Sequence, residues 1–395
     1  MHDFLFDHLH FEPADQETLW HGENVGLTTV GIDIGSATSH LSFARLDLRR
    51  QDGRLAAVKR RLLWQSPILL TPYRADTLID VDFLGQFIVG CYDEAGVDPD
   101  RIDSGAVILT GHAAERANAR EIGALFADVI GRYACATAGH RLEAIMAARG
   151  SGAVQIARER AAIVLNVDIG GGTTKFALID KGEIVATAAI AAGARLGKAR
   201  DAARGWRLGE AIVAAIRGEP APQRLLLTEP LPQTPQPTAI VFSGGVAEYV
   251  FDREHRRFDD LGPAIAHTIQ EALIRKTIAL PVWDTKAGIR ATATGACQFT
   301  VQAKGGVASV SHPERLPLRN VPFVAVKPGE ALDDALRRAD LMQADAVALA
   351  GPPSSTLRAG NRTVVMVDGL ALRPLDYVDV LPGPPIELIV KSLVF

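Results

Sequence analysis

The chain reads as an α/β protein built from two related halves, and three observations carry that prediction. Strand-like and helix-like periods alternate along most of its 395 residues. A strand, glycine turn, strand unit occurs twice, as TTVGIDIGSATSHLSFARL near the start and LNVDIGGGTTKFALID in the middle. The length exceeds one ordinary core, which favours two domains or one bilobal unit.

Composition narrows the function classes. Hydrophobic residues at 48% against 22% charged predict a globular chain with a sizeable core, and 36 Gly with 22 Pro are near ordinary usage, against a disordered or collagen-like one. Lys+Arg at 42 and Asp+Glu at 46 leave a net charge of -4, so no global positive field favours nucleic acid or anionic lipid. No apolar run reaches the length of a membrane-spanning helix, and the N-terminus MHDFLFDHLH lacks the basic start of a signal peptide, so no membrane partner is expected and the cytoplasm is the expected compartment. Cys91, Cys135 and Cys297 are widely separated without CxxC spacing and read as buried free thiols.

Taken in order, residues 1–27 mix His2, His8, His10 and His21 with acids and aromatics without a steady period, which reads as an arm; its histidines are metal ligands or simply a polar tail. From Thr28, alternation of Val30, Ile32 and Ile34 followed by a glycine turn predicts a hairpin. Asp80 to Ala95 reads as a helix, and SGAVILTG (104–111) as a buried strand followed by a long helical stretch through Ala127. The second hairpin occupies 163–180. Setting Asp33 on Asp168, an offset of 135, superposes Ile34 on Ile169, Gly35 on Gly170 and Thr38 on Thr173, with Leu41 and Phe43 falling on Phe176 and Leu178. A run of six prolines between Glu219 and Thr238 is a surface connection. TAIVFSGGVAEY (238–249) is a buried strand delivering Ser243, Gly244 and Gly245 at its end, and small residues around Gly295 suit a close approach of two elements. Beyond Pro313 the chain is strand-like and ends as a small β-rich region.

Nucleotide phosphates need directed N–H donors and a divalent cation held by carboxylates or ordered water. Gly35, Gly170, Gly171 and Gly172 let backbone N–H groups turn toward phosphate oxygens, and Ser36, Thr38, Thr173 and Thr174 add hydroxyls. Asp33 and Asp168, each just before its turn, would face each other across a cleft and hold hydrated Mg²⁺ between them. The bland reading of each piece is a tight hairpin whose aspartate accepts backbone hydrogen bonds. Lys175 either approaches phosphates or points to solvent as a strand-face lysine. Neither turn is a P-loop or a dinucleotide fingerprint.

The ordered set DIGSATS, DIGGGTT, SGGVAEY and TATGAC resembles the phosphate-1, phosphate-2, adenosine and second connecting segments of the actin, Hsp70 and sugar-kinase superfamily. That resemblance implies two ribonuclease-H-like lobes closing over ATP or ADP with Mg²⁺: a first lobe over 28–160, a second, shortened lobe over 161–305, and the β-rich region over 306–395. HRLEAIMAARGSGA (140–153) resembles the first connecting helix, which makes Glu143 the candidate for orienting a hydrolytic water, with Asp168 beside it. Gly295 and the Ser243–Gly245 turn are then placed toward the nucleotide.

A narrower resemblance spans nearly the whole chain. GIDIGSATSHLSFARL, WQSPILLTP (64–72), DSGAVILTGHAAERANAR (103–120), LNVDIGGGTTKFALID, PLRNVPFVAV (317–326) and the final DYVDV with VKSLVF resemble the ethanolamine ammonia-lyase reactivating factor family, EutA. The family implies an ATP-dependent, chaperone-like factor that expels damaged cobalamin from an adenosylcobalamin enzyme, with that lyase as partner, self-association left open, and a bacterial microcompartment as a further setting. The chain departs from the family in a shorter stretch between Thr174 and Ser243, in an abbreviated region after Gly351, and in His112, where an acid is usual; His112 reads as a surface imidazole. Rival readings are a small-molecule kinase, with Asp103 as a generic base, and a nucleotide-binding scaffold with little turnover. A cluster-bearing dehydratase activator would require grouped thiolates, which the cysteine spacing does not offer, and a filament subunit is the remaining option.

Overall fold

The computed structural model describes residues 22–394 apart from 52, 76–77, 110–121, 123–133, 138, 305–306, 340, 342–343 and 353–360. The histidines of the arm, His112 and nearly all of the helical stretch expected after residue 111 fall outside the described residues.

β1 (Asn24–Ile34) begins inside the segment expected to be an arm and is buried along almost its whole length. A strand buried at nearly every position is paired on both edges and covered on both faces. β2 (Thr38–Gln51) pairs antiparallel with it and carries on into β3 (Arg54–Gln65), then a two-residue β4 (Leu69–Leu70) on β2 and a small β5 (Tyr73–Ala75), β6 (Leu78–Ile79) hairpin. β3 escaped the sequence reading because its RLAAVKRR stretch is charged and exposed, as suits an edge strand. α1 (Val81–Ala95) lies where expected: Asp80 caps it by accepting from Phe83 N at 3.1 Å, Gly96 ends it in the left-handed region at φ 64°, and Leu84, Ile88, Cys91 and Tyr92 form its buried stripe. β7 (Ser104–Leu109) and β8 (Ala134–Thr137) add in parallel, giving the order β3-β2-β1-β7-β8.

Two connecting helices, α2 (His140–Gly150) and α3 (Ala153–Glu159), lead into the second sheet. There β9 (Ile163–Ile169), β10 (Thr174–Asp180) and β11 (Glu183–Ile190) form an antiparallel meander, α4 (Ala202–Ile216) follows, and β12 (Ala239–Ser243) returns parallel to β9. The order β11-β10-β9-β12 repeats β3-β2-β1-β7 of the first sheet, and β8 has no counterpart among the described strands. Two ribonuclease-H-like lobes of the actin and Hsp70 type result. The proline-rich 219–238 connection runs over the second lobe with one short 3-10 turn at Gln223–Leu225.

After β12 come α5 (Gly245–Val250), α6 (Gly262–Ile274) and α7 (Ala291–Ala296). The helices exchange sheets: α2 packs against β9, β10 and β11, whereas α7, from the end of the second half, packs on β1, β2 and β7. They cross where neither can bear a side chain. A Cβ on Gly150 would lie 1.8 Å from the Ala291 carbonyl oxygen, and one on Gly295 would lie 2.1 Å from that of Met146.

The remaining chain supplies β13 (Phe299–Lys304), β14 (Val307–Val310), β15 (Leu318–Pro322), α8 (Leu332–Arg338), β16 (Ala346–Ala350), β17 (Thr363–Asp368), β18 (Tyr377–Leu381) and β19 (Glu387–Leu393). They form the sheets β13-β19-β18-β15 and β14-β17-β16, with one helix among the expected strands. Arg54 of β3 holds this region through two bonds to the Asp376 carboxylate, at 3.0 and 2.8 Å. Among the described residues, no helix is long and apolar enough to cross a membrane.

Candidate functional site

Both hairpin turns are built by one local rule. Gly35 N donates to the Thr38 carbonyl at 2.9 Å and Gly170 N donates to that of Thr173 at 3.0 Å, so each loop folds back tightly. The turns then meet: a Cβ on Gly171 would lie 2.8 Å from the Cβ of Ala37 and 3.3 Å from the Ser36 hydroxyl. Side chains and backbone of both lobes line a cleft of about 270 Å³, including Asp33, Gly35, Ser36 and Thr38 from the first, and Asp168 and Gly170 to Thr173 from the second. Gly244 and Gly245 close its far side. At the start of α5, Gly244 has φ 83° and approaches β9 so closely that a Cβ would lie 2.4 Å from the Ile169 carbonyl oxygen.

Charge is concentrated on the floor. Lys175 is 5% exposed and forms an ion pair with Glu143 of α2, itself 2% exposed. Burial acts to lower the Lys175 ammonium, yet Glu143, Asp168 and Asp33 together lift it above the ordinary lysine range. Burial pushes the Asp168 carboxyl up, opposed by the Lys175 charge and by the Ser243 hydroxyl, which donates to Asp168 Oδ1 at 2.8 Å. Ser243 in turn belongs to a buried polar run. Asn166 Nδ2 donates to Ser243 Oγ at 3.3 Å, and Ser151 Oγ donates to Asn166 Oδ1 at 2.8 Å, which ties the start of α3 to the aspartate. Beside Asp33, His40 Nε2 stands 3.8 Å from Oδ2; its ring is 2% exposed, and burial followed by the Arg290 charge brings its pKa down to about 4. The hydroxyl of Thr173, 4% exposed and lining the cleft, has no hydrogen-bond partner.

The structure thus gathers Asp33, Gly35, Ser36, Thr38, Glu143, Asp168, Gly170, Gly171, Gly172, Thr173, Gly244 and Gly245 around one space. It does not bring the other three candidates to the cleft wall. Ser243 lies beneath, on Asp168; Thr174 is turned away, its hydroxyl donating to the Ala192 carbonyl at 2.7 Å; Gly295 sits at the α2–α7 crossing. Asp103, the generic base for a kinase, accepts the Thr28 N–H at 2.7 Å and is likewise apart from the cleft. Cys91 and Cys297 are buried free thiols.

Sequence reasoning missed His40 and left Lys175 open between a phosphate contact and a solvent-facing lysine. A signal existed: the 135-residue offset lays His40 on Lys175, and both sit directly across the ladder from the aspartates, in the pairs Asp33↔His40 and Asp168↔Lys175. In a pleated sheet, cross-strand partners share a face. The outer wall was missed as well. Glu248 and Tyr249 follow the Ser243–Gly245 turn on α5, with Arg256, Phe258 and Ile289 beside them. Glu248 is fixed by the Ile289 N–H at 3.0 Å and by Arg253 at 3.0 Å, so this wall is preset.

Comparison with known proteins adds to this geometry. The sequence profile of the family described as "Ethanolamine utilisation protein EutA" matches residues 25–208 and 206–348. The chain is 32% identical over 381 residues to the ethanolamine ammonia-lyase reactivase EutA of Salmonella typhimurium strain LT2, covering 84% of this chain and 80% of that protein. It is 32% identical over 416 residues to the reactivase of the same description from Escherichia coli K12, covering 93% and 87%. Among solved structures, the Aquifex aeolicus PPX-GPPA enzyme is similar with a TM-score of 0.43 and 13% identity, covering 68% of this chain and 100% of that one.

Proposed function

We propose a function from one premise: this chain belongs to the EutA family of ethanolamine utilisation proteins. It acts as a chaperone-like reactivating factor for the adenosylcobalamin-dependent ethanolamine ammonia-lyase, using ATP to promote release of damaged cobalamin and its exchange for intact cofactor. The observation that carries the ATP part is the meeting of two like-built glycine turns, one from each lobe, over a shared acidic floor.

Backbone N–H groups of the two turns, with the Ser36, Thr38 and Thr173 hydroxyls, are assigned to the phosphates; the wall formed by Gly244, Gly245, Glu248 and Phe258 is assigned to the nucleoside. Mg²⁺ fits the floor. Asp33, Asp168 and Glu143 face the single ammonium of Lys175, an excess of two negative charges. No three or more His, Cys, Asp or Glu side chains among the described residues are arranged to hold a metal directly. A hydrated ion held by Asp33 and Asp168, with waters and phosphate oxygens completing its shell, suits that arrangement and would screen phosphate charge when bound. Glu143 is the carboxylate assigned to orient the attacking water. Because both lobes touch the ligand, ATP stabilises one lobe orientation by as much as its binding differs between orientations, and hydrolysis withdraws that difference. The division into lobes at 28–160 and 161–305 with the 306–395 region, residence in the cytoplasm beside the lyase, and association with a microcompartment belong to the same reading.

A nucleotide-binding scaffold with little turnover is the second reading, favoured by the tie of Glu143 to Lys175. The deciding experiment incubates lyase carrying inactive cobalamin with this protein, free adenosylcobalamin, ATP and Mg²⁺, beside an Asp168→Ala control. Restored deamination with the unaltered protein alone is expected. No restoration with the cognate lyase sinks the reactivase reading.

A further inference from the structure

We propose that Lys175 is a sensor of the terminal phosphate: its ammonium is shared between Glu143 in the resting site and the γ-phosphate when a triphosphate is bound, so that only ATP loosens the bond between α2 and β10. This rests on the nucleotide reading above and specifies how the site tells ATP from ADP.

Three observations and one property of the ammonium group carry it. Lys175 lies on the cleft floor at 5% exposure, immediately after the second glycine turn, so phosphate gripped by that turn is within the reach of a flexible four-carbon stem. Its partner Glu143 comes from a different element, α2, which packs both on the second-lobe sheet and against α7, so the pair ties the connecting helix to the sheet. An ammonium has three donors that can be redirected by rotation, and a doubly charged phosphate oxygen group competes with a single carboxylate for them. Independently, the Thr173 hydroxyl, 4% exposed on the same cleft wall and two positions before Lys175, has no partner, which is the state expected of a donor that serves a ligand oxygen.

Among the described residues that line the cleft, a lysine is provided by the second hairpin only. The residue at the equivalent ladder position of the first turn is His40, a buried imidazole rather than a flexible ammonium. The γ-phosphate is therefore drawn toward the second turn. Once Lys175 swings to it, Glu143 is released to a water beside that phosphate, and α2 loses a buried bond to β10. With ADP the ammonium stays on Glu143. Lys175 is a positioning residue here, acting on Glu143 and on the attitude of α2.

The test measures binding of ADP and of a non-hydrolysable β,γ-imido ATP analogue by calorimetry, with Mg²⁺, for the unaltered chain, Lys175→Met, Glu143→Gln and the double variant. Lys175→Met is expected to weaken the analogue roughly tenfold or more, the worth of one charge-assisted bond, and ADP at most about threefold. Glu143→Gln frees the ammonium and is expected to strengthen the analogue several-fold relative to ADP. Opposite signs in the two variants are what a merely structural ion pair would not produce. If Lys175→Met alone fails to fold, the double variant, which removes both members of the pair, must show the same loss of ATP preference. Equal shifts for both nucleotides, or an unchanged preference in Glu143→Gln, overturn the proposal. Failure of the unaltered chain to bind either nucleotide overturns the underlying reading itself.

Discussion

At matching ladder positions Asp33 faces His40 in the first lobe, and Asp168 faces Lys175 in the second. The parallel neighbours differ too: Asp33 lies beside Ile108, Asp168 beside Ser243. The two turns keep the same closing bond, yet one aspartate has a neutral imidazole and an apolar neighbour, while the other has an ammonium and a hydroxyl. The second aspartate faces a charge, whereas the first turn is held by hydrogen bonds that Thr71 and Tyr73 donate to the Gly35, Ser36 and Ala37 carbonyls. Even the surfaces behind them diverge. Where the second lobe has Asn166 in a polar chain, the first has Gly31, over which α7 passes so closely that a Cβ would lie 2.0 Å from the Ala293 carbonyl oxygen. The two halves share the turn-closing bond and the ladder register and differ in the side chains that supply charge.

The largest expected effect comes from exchanging the charged partner. Lys175→Met leaves Glu143, Asp168 and Asp33 buried around no cation, and stability in urea should fall by about 3–5 kcal/mol, as when one member of a buried pair is removed. His40→Asn, at the equivalent position, should cost far less. Equal losses would erase the asymmetry between the lobes. Next, Gly150→Ala should cost about 3 kcal/mol, because the helix crossing has no room for a methyl group, whereas Gly170→Ala, whose added carbon would meet only the Thr173 carbonyl at 3.5 Å, should cost clearly less by the same denaturation midpoint. Comparable losses would mean that the crossing is not what locks α2 to α7. A smaller effect, about 1.5 kcal/mol, is expected for Ser243→Ala, which removes one hydrogen bond to the Asp168 carboxylate; Ile108→Val, at the matching place in the first lobe, tests packing alone. The smallest concerns Cys297, which sits 1% exposed under the first lobe with its thiol pushed up from 9.0 to about 12 by burial. It should resist alkylation at neutral pH. Its contribution to stability is complete below the ordinary thiol value and is lost as pH rises toward about 12, since only the unfolded chain readily gives up that proton.

Much of this was legible in the residues. Alternating Val30, Ile32 and Ile34 bounded by a glycine turn has one economical conformation, a hairpin, and the same holds for the run before Asp168. Asp80 and Gly96 mark the ends of α1 because both act locally, through a cap bond and a left-handed φ. β3 was not legible, since an edge strand with a wet face carries no continuous apolar signal. The small residues around Gly295 foretold a close approach of elements, but the element that approaches Gly295 is α2, and it is Thr292 of the same segment that lines the cleft.

By itself, the order of residues determined the local units: two hairpins with aspartates at their ends, glycines in their turns and an offset that makes them copies. Those features depend on contacts only a few positions apart in the chain or on the period of a strand. Tertiary structure alone decided that the two turns touch, that Lys175 of strand β10 points inward to Glu143 of helix α2, and that Ser243 lies under its aspartate. Those outcomes depend on residues 32 and 75 positions apart being brought together in a buried, poorly screening interior, where a charge must find its partner and no short-range pattern announces which one.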